Sequence, residues 1–284
     1  MYRQSITRAH RTAFFLLIDG SGSMAEEIPF RGVICSKAQA LATVTNELIF
    51  ELIERARRTD GIRDYYDVAI WSYSGDEAVR SLLPNGLKLI SIEELAALPV
   101  ERMKRTIDVT LPNGEPALRQ VEIPTWVKPT ACGLTPMVEA LRTARDELAL
   151  WIAREEHRTS FPPIVFNITD GDATDGTVEE LRSVASQIRQ LHTEDGNVLL
   201  MNIHIGHALS SHTFLPNEEE GAALEGRARL LYDLSSELPD CFTEAIHTAK
   251  GGYGLPPYRG MGFNTSISEL VTMLNIGSIS IKTG

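Results

Sequence analysis

The sequence predicts an α/β fold in which helices cover both faces of a parallel sheet. Short apolar runs alternate along the chain with segments whose apolar residues recur at the helical period. The runs are almost continuously apolar, as expected for strands that are buried on both faces. The chain has 284 residues, 43% of them hydrophobic, which is enough to bury a large core. We predict one domain over residues 1–284.

Four apolar runs are the predicted strands of this sheet. In chain order they cover residues 13–18, 68–73, 162–169 and 197–205, and a short fifth strand is predicted at 229–232. The first and third runs, "AFFLLI" and "PPIVFNIT", are each followed directly by an aspartate. Ligands of open parallel sheets bind outside the carboxyl ends of the strands. These two aspartates are therefore candidate site residues.

Four helices are predicted from a capping residue that precedes apolar residues at helical spacing. The predicted caps are Ser36, Thr135, Thr177 and Ser266. A Gln or Glu three residues later completes a capping box at all but the second, where Pro136 takes the first helical position. The last turns of the first helix are predicted to hold Arg55, Arg57 and Arg58, the second helix to run to about residue 154, and the last to stop at Gly277.

Two segments interrupt the alternation of strands and helices. Residues 76–128 contain "IDVTLPNGEPALRQVEI", which predicts a β-hairpin with Asn113-Gly114 at its turn. We interpret this segment as an insertion between a strand and a helix rather than a separate domain. Residues 208–228 are predicted to form an acidic loop.

Charge and cysteine content exclude several classes of function. The formal net charge of −11 argues against nucleic acid and anionic membranes as partners, because both attract basic surfaces. The apolar run at 13–18 is too short for a signal peptide or a membrane span. Three widely spaced cysteines, Cys35, Cys132 and Cys241, provide no disulfide framework, so we expect a reducing, cytoplasmic location and buried thiols.

Five oxygen-bearing side chains form a candidate metal site at the predicted sheet edge. Asp19 ends the first strand, Ser21 and Ser23 follow it, Thr135 lies at a loop-to-helix junction, and Asp170 ends the third strand. All five donate hard oxygen atoms, which suit Mg²⁺, or alternatively Mn²⁺ or Ca²⁺, and do not suit zinc or copper.

The three segments that carry these residues resemble a known family. "DGSGS" at 19–23, "GLTPM" at 133–137 and "TDG" at 169–171 are similar to the D-x-S-x-S, Thr and Asp elements of a von Willebrand factor A domain. Together they resemble the metal-ion-dependent adhesion site of that family. The resemblance covers roughly residues 10–276 and implies a doubly wound sheet with one short antiparallel edge strand.

The resemblance also implies a role for each residue. Ser21 and Ser23 would bind the metal through their hydroxyls, and Thr135 directly or through water. Asp19 and Asp170 would act mainly through waters and by hydrogen bonding to the serines. The implied function is an adaptor module that captures an Asp or Glu of a partner protein through the metal.

The lack of a secretion signal makes the chain similar to stand-alone intracellular bacterial members of the family. Some of those accompany tellurite-resistance proteins, ATPases or phage-defence modules. The implied partner is an AAA+ ATPase, a kinase or a phosphatase within a stress-response or defence system.

Two other functions remain open from the sequence: a metal-dependent hydrolase or phosphatase, and a structural subunit with an unused site. Asp172 and Asp19 are the only plausible nucleophile or base, so we do not expect an enzyme. "DGDATDG" lacks the Gly and Glu of a calcium loop, and we interpret Asp172 and Asp175 as loop and cap residues. His204 and His207 lack further zinc ligands at suitable spacing.

Overall fold

The computed structural model of the protein describes residues 1–75, 78–110, 116–206, 212–252 and 254–279. Its strands are β1 (Thr12–Asp19), β2 (Glu27–Phe30), β3 (Val33–Ser36), β4 (Arg57–Arg58), β5 (Gly61–Ile62), β6 (Tyr66–Tyr73), β7 (Val79–Ser81), β8 (Ile90–Ser91), β9 (Glu101–Thr110), β10 (Pro116–Thr125), β11 (Ile164–Thr169), β12 (His192–Thr193), β13 (Gly196–Asn197), β14 (Leu199–Ile205), β15 (Thr213–Phe214) and β16 (Met261–Thr265). Its helices are α1 (Lys37–Ala56), α2 (Ile92–Ala97), α3 (Met137–Ile152), α4 (Val178–Gln190), α5 (Glu218–Ala222), α6 (Gly226–Leu234), α7 (Thr243–Ala249) and α8 (Ile267–Ile279). None of the helices in these ranges combines the length and apolar character needed to cross a membrane.

The central sheet has the strand order β15-β16-β14-β11-β1-β6-β7, and β8 also pairs with β6. The inner strands from β16 to β6 run parallel to their neighbours. This confirms the predicted α/β class with a mostly parallel sheet. Short antiparallel strands lie at both edges, β15 on one side and β7 and β8 on the other, where one such strand was expected.

Alternation along β1 explains its continuous apolar run. Phe14 and Leu16 pack into one core layer with α1 and α8. Phe15 and Leu17 pack into the opposite layer with α3, α4 and α6. Since each of these side chains is buried, truncating Leu16 to alanine would cost about 2–5 kcal/mol of stability. Burial on both faces fixes β1, and with it the loop that follows Asp19.

The predicted insertion at 76–128 contributes both to the sheet and to a hairpin. Its strands β7 and β8 extend the sheet beyond β6, and β9 and β10 form the predicted antiparallel pair. The predicted turn, Asn113-Gly114, lies outside the described residues. Asn46 of α1 fastens the end of the hairpin, because its Oδ1 accepts hydrogen bonds from Trp126 N (2.7 Å) and Val127 N (3.0 Å).

The strand predicted at 229–232 is wrong, because these residues lie inside α6. Among the buried residues of α6, Ala228, Leu231 and Leu234 recur every three residues, which is a helical spacing. β16, in contrast, was not predicted from the sequence. It contains Gly262 and Asn264, two residue types that are depleted in strands.

Part of the acidic loop predicted at 208–228 folds into the regular elements β15 and α5. Asn217 begins α5 in a capping box, in which its side chain accepts a hydrogen bond from Glu220 N. The three-residue spacing of Asn217 and Glu220 is a sequence signal for this short helix. Residues 207–211 lie outside the described part of the chain. They include His207, one of the two histidines considered as zinc ligands.

The capping boxes predicted at Ser36, Thr177 and Ser266 are confirmed, since each hydroxyl accepts from the backbone N–H three residues later. The predicted helix ends are less accurate. α1 ends before Arg57 and Arg58, which pair with β5 instead. α8 continues two residues past the predicted stop.

Candidate metal centre

Asp19 and Asp170 lie at the carboxyl ends of neighbouring strands, as the sequence predicted. Asp19 is the last residue of β1, and Asp170 directly follows β11. The two strands pair in parallel, with Ile18 opposite Ile168. Parallel pairing therefore places both aspartates at one edge of the sheet.

The two serines connect these aspartates through hydrogen bonds. Ser21 Oγ and Ser23 Oγ are 3.1 Å apart, and Ser23 Oγ donates to Asp170 Oδ1 at 2.6 Å. Asp19 Oδ1 accepts from Ser21 N at 2.8 Å. Four of the five predicted site residues thus form one connected cluster.

Asp19 is the buried anchor of this cluster. It is 1% exposed, and its Oδ2 accepts a 2.6 Å hydrogen bond from Thr169 Oγ1. Burial raises the pKa of the Asp19 carboxyl, while the hydrogen bonds from Thr169 and Ser21 oppose that shift and the nearby Asp170 charge adds to it. Asp19 consequently stabilises the loop of Ser21 and Ser23 from the protein interior rather than presenting an oxygen to solvent.

Thr135, the fifth predicted residue, lies against the segment that follows Asp170. Thr135 N donates to Thr174 Oγ1, and Thr135 O accepts from Thr174 N, both at 3.0 Å. A Cβ placed on Gly171 would be 3.8 Å from Thr135 Oγ1. The hydroxyl of Thr135 is therefore close to the backbone that carries Asp170, and all five predicted residues meet in one region.

Thr135 is not the N-cap of α3, contrary to the sequence prediction. Pro136 occupies the cap position, without a side-chain capping bond. Asp175 caps the helix from another loop, since its carboxylate accepts from Val138 N (3.0 Å) and Glu139 N (2.8 Å). This agrees with the interpretation of Asp175 as a cap residue, and it means that the Thr135 hydroxyl is not used to cap α3.

Two glycines allow the loops of the site to approach each other. Ser72 Oγ would lie 2.6 Å from a Cβ on Gly20. Gly133 has φ +68°, and a Cβ there would lie 2.2 Å from Gly75 Cα. Gly133 O also accepts a 3.0 Å hydrogen bond from Gly22 N, which ties the Thr135 loop to the serine loop. Any side chain at position 133 would push the Thr135 loop away from Gly75, which lies in the loop after β6.

Lys37 is a member of the site that the sequence analysis missed. Its Nζ lies 3.1 Å from Asp170 Oδ2 and also contacts a carboxylate oxygen of Glu26. Burial lowers the pKa of the Lys37 ammonium, but its hydrogen bonds and charge interactions with Glu26 and Asp170 outweigh burial, so the pKa is raised. One signal was available, because a lysine in the first turn of a helix is opposed by the helix dipole and calls for nearby carboxylates.

The donor atoms fit a hard divalent cation. Three neutral hydroxyls and two carboxylates converge, which is a set of hard oxygen donors. Among the described residues, no group of three His, Cys, Asp or Glu side chains is placed to hold a metal ion, so the hydroxyls are essential to the candidate site. His204 stacks on Phe263 with ring centroids 4.8 Å apart, and burial lowers the pKa of its imidazole. His204 is therefore a packed histidine rather than a metal ligand.

A cavity of about 410 Å³ opens beside the cluster. Gly171 and Asp172, which directly follow Asp170, form one part of its wall. Val178 and Leu230 are among the apolar side chains that form the rest. The cavity therefore adds an apolar surface beside the cluster of hydroxyls and carboxylates.

The cysteines do not match the expectation of burial. Cys132 and Cys241 are exposed and Cys35 is half-buried, and all three are free thiols. Cys132 lies in the loop before Thr135, and its backbone N donates to Gly20 O at 2.7 Å. Its exposure follows from the position of this loop at the sheet edge, outside the core layers.

Comparisons with known proteins give weak likenesses. No protein-family model matches the chain, and no curated protein matches it. Among solved structures, the chain is similar to a von Willebrand factor type A protein from Catenulispora acidiphila, with TM-score 0.40 and 18% identity over 70% of this chain and 34% of that one. It is also similar to an uncharacterized membrane spanning protein from Vibrio fischeri, with TM-score 0.29 and 13% identity over 85% of this chain and 98% of that one. The chain thus spans about a third of the length of the Catenulispora protein.

Proposed function

We propose that the chain is a protein-binding module of the von Willebrand factor A type that captures an acidic residue of a partner through a bound divalent cation. The observation that carries this proposal is the hydrogen-bonded cluster of Asp19, Ser21, Ser23 and Asp170, with Thr135 beside it. These five residues would hold Mg²⁺, or alternatively Mn²⁺ or Ca²⁺. The cation would supply an electrophilic centre for a carboxylate ligand.

The mixture of ligands favours capture of an anion. The hydroxyls of Ser21, Ser23 and Thr135 are neutral and leave the positive charge of a cation largely uncompensated. Asp19 is buried and already accepts two hydrogen bonds. A carboxylate from a partner would therefore bind strongly, since both charges are partly desolvated at the site.

The rival proposal, a metal-dependent hydrolase or phosphatase, finds less support. Asp172 forms an ion pair with Arg227 at 2.5 Å. Asp19 is enclosed by Thr169 and Ser21. Neither carboxylate is placed to act as a nucleophile or as a base for water, so we propose no catalytic activity for this chain.

The family resemblance extends the proposal to a cellular setting. The partner would be an AAA+ ATPase, a kinase or a phosphatase that presents an Asp or Glu, within a cytoplasmic stress-response system such as tellurium resistance or a defence system. The three free thiols agree with a reducing compartment.

Metal and carboxylate titrations followed by NMR test the proposal. The probe is N-acetyl-aspartate N-methylamide, and the asparagine analogue is its control. In the presence of Mg²⁺, the aspartate probe should shift the amide signals of Ser21, Ser23 and Thr135, whereas the asparagine analogue should not. EDTA should abolish the shifts. The Ser21→Ala/Ser23→Ala double variant should lose the response, while the exposed Ser183→Ala should keep it.

Two results would count against this function. Shifts that persist in EDTA would show that the carboxylate binds without a metal. Turnover of p-nitrophenyl phosphate that depends on Mg²⁺ or Mn²⁺ and is lost in the double variant would favour the enzyme instead.

A further inference from the structure

We propose that Lys37 is a built-in cation of the candidate metal centre and that its ammonium sets the affinity of the centre for a divalent cation. This inference rests on the proposed function, because it concerns the same site. Lys37 would hold Asp170 while no metal is bound and would weaken metal binding by charge repulsion. The centre would then bind a metal firmly only when a partner carboxylate adds its negative charge.

The ammonium is held inside the site rather than at the surface. The Lys37 side chain is 6% exposed and that of its partner Asp170 is 0% exposed, whereas Glu26 is 48% exposed. Lys37 N also donates to Glu26 O at 2.9 Å, which fixes the base of the side chain. A long lysine side chain normally extends into water, so its burial here shows that the two carboxylates retain it.

Asp170 links the ammonium directly to the hydroxyl cluster. Its Oδ2 contacts Lys37 Nζ at 3.1 Å, while its Oδ1 accepts the hydrogen bond from Ser23 Oγ at 2.6 Å. One carboxylate therefore divides its two oxygens between a permanent cation and the predicted metal ligands. A divalent ion that draws charge from Asp170 must compete with Lys37.

Two explanations of Lys37 give different expectations. If the ammonium serves only to neutralise buried carboxylates, its removal should lower stability without tightening metal binding. If it competes electrostatically, its removal takes one positive charge away from Asp170 and Glu26, and a divalent cation should bind more tightly. Neutralising Glu26 should have the opposite effect, since it leaves the ammonium with one carboxylate fewer.

Titration of the whole chain with Mn²⁺, with free Mn²⁺ measured by electron paramagnetic resonance, tests this. Lys37→Met should lower the Mn²⁺ Kd by about tenfold, the order expected for removing one nearby unit charge from a partly buried site. Glu26→Gln should raise the Kd several-fold. Lys88→Met removes a 65% exposed lysine that is paired with Glu147, and it should leave the Kd unchanged.

Thermal unfolding gives a second measurement that does not depend on the Kd. In EDTA, Lys37→Met should melt below the wild type, because Asp170 loses its counter-charge. Saturating Mn²⁺ should raise the melting temperature of Lys37→Met by more than it raises that of the wild type. A lysine that matters only for folding would show the first effect without the second.

Each outcome decides the matter. If the wild type binds Mn²⁺ and folded Lys37→Met binds it with unchanged or weaker affinity, the role of Lys37 is overturned. The proposed function then still stands. If Lys37→Met does not fold, an unchanged Kd in Glu26→Gln would overturn the role of Lys37. If neither the wild type nor Lys37→Met binds Mn²⁺, the metal centre itself is refuted.

Discussion

Ser23 Oγ donates a 2.6 Å hydrogen bond to Asp170 Oδ1, joining two residues that are 147 positions apart in the sequence. The contact exists because β1 and β11 are neighbours in the sheet and end at the same edge. It connects the loop after the first strand to the loop after the third predicted strand. The functional proposal depends on this junction.

Asp19→Asn should separate the stability of the site from its metal binding. Burial raises the pKa of the Asp19 carboxyl, so the ionised form costs the folded state stability as pH rises through that pKa. The neutral asparagine removes this cost, and its oxygen still accepts from Ser21 N. Its amide nitrogen cannot accept from Thr169 Oγ1, but that hydroxyl retains Gly171 O as an acceptor at 3.1 Å. In EDTA at neutral pH the variant should melt at or above the wild-type temperature, but Mg²⁺ should no longer raise its melting temperature.

Differential scanning fluorimetry with and without Mg²⁺ measures both effects for Asp19→Asn. Asp146→Asn, on the exposed side of α3, is the matched control and should respond to Mg²⁺ like the wild type. A normal Mg²⁺ response in Asp19→Asn would show that its carboxylate charge plays no part in holding the metal.

Gly133→Ala should disrupt the contact between the loop that precedes Thr135 and Gly75, which lies in the loop after β6. Its Cβ would fall 2.2 Å from Gly75 Cα, and its φ of +68° is unfavourable for alanine. Together these effects should cost about 2–3 kcal/mol of unfolding free energy and weaken Mg²⁺ binding. Gly86 offers a close control, since it has φ +69° but no atom within 4 Å of its added Cβ.

The comparison isolates steric contact from backbone strain. Gly86→Ala should lose only about 1 kcal/mol, the usual cost of alanine at a positive φ. Urea unfolding in EDTA gives both values. Equal losses in the two variants would mean that the loop of Gly133 can move away from Gly75 at no further cost in stability. Their contact would then not define the site.

The sequence was sufficient to predict the inner strands β1, β6, β11 and β14 and to place Asp19 and Asp170 at one edge of the sheet. β1 and β11 are buried on both faces, so their apolar runs were unmistakable, and the polar residues that follow had to lie at the sheet edge. The capping box at Thr177 was likewise local, because its partners are only three residues apart.

Long-range contacts were beyond the sequence analysis. The bond of Lys37 to Asp170 spans 133 positions, and nothing in the local pattern indicates it except an unfavourable place in the helix dipole. β16 was missed for a related reason, because its pairing with β14 overrides the weak strand propensity of Gly262 and Asn264. Tertiary contacts, rather than local sequence, determine the conformation and the partners of such segments.

His157 should make the fold sensitive to mild acid. It stacks on Trp151 with centroids 3.8 Å apart, and its Nε2 lies 3.7 Å from Asp67. Burial lowers the pKa of this imidazole, although the Trp151 carbonyl and the Asp67 charge oppose the shift. The unfolded chain therefore binds a proton more readily, and stability should fall as pH drops below the ordinary histidine pKa of 6.5.

Urea unfolding at about pH 7.5 and about pH 5.5 measures this dependence on the ordinary histidine titration. His157→Gln should show a smaller loss of stability between the two pH values than the wild type. The exposed His192→Gln is the control and should retain the wild-type loss. An identical pH dependence in His157→Gln and the wild type would assign the acid sensitivity to other groups.

Asp175→Ala should weaken both α3 and the metal centre, because this carboxylate caps the helix that follows Thr135. Losing its bonds to Val138 N and Glu139 N should cost about 1–2 kcal/mol. The Thr135 loop would loosen with the end of the helix, so the Mn²⁺ Kd should rise several-fold. Asp175→Asn retains one acceptor oxygen and should recover part of both losses.

The control for Asp175→Ala comes from the same loop. Asp172→Ala removes an ion pair with Arg227 whose side chains are 55% and 63% exposed, so its stability should change by less than about 0.5 kcal/mol. Urea unfolding and Mn²⁺ titration of both variants separate loop charge from helix capping. If Asp175→Ala loses stability but binds Mn²⁺ like the wild type, the position of Thr135 is set independently of the cap, by the hydrogen bonds that join its backbone N and O to Thr174.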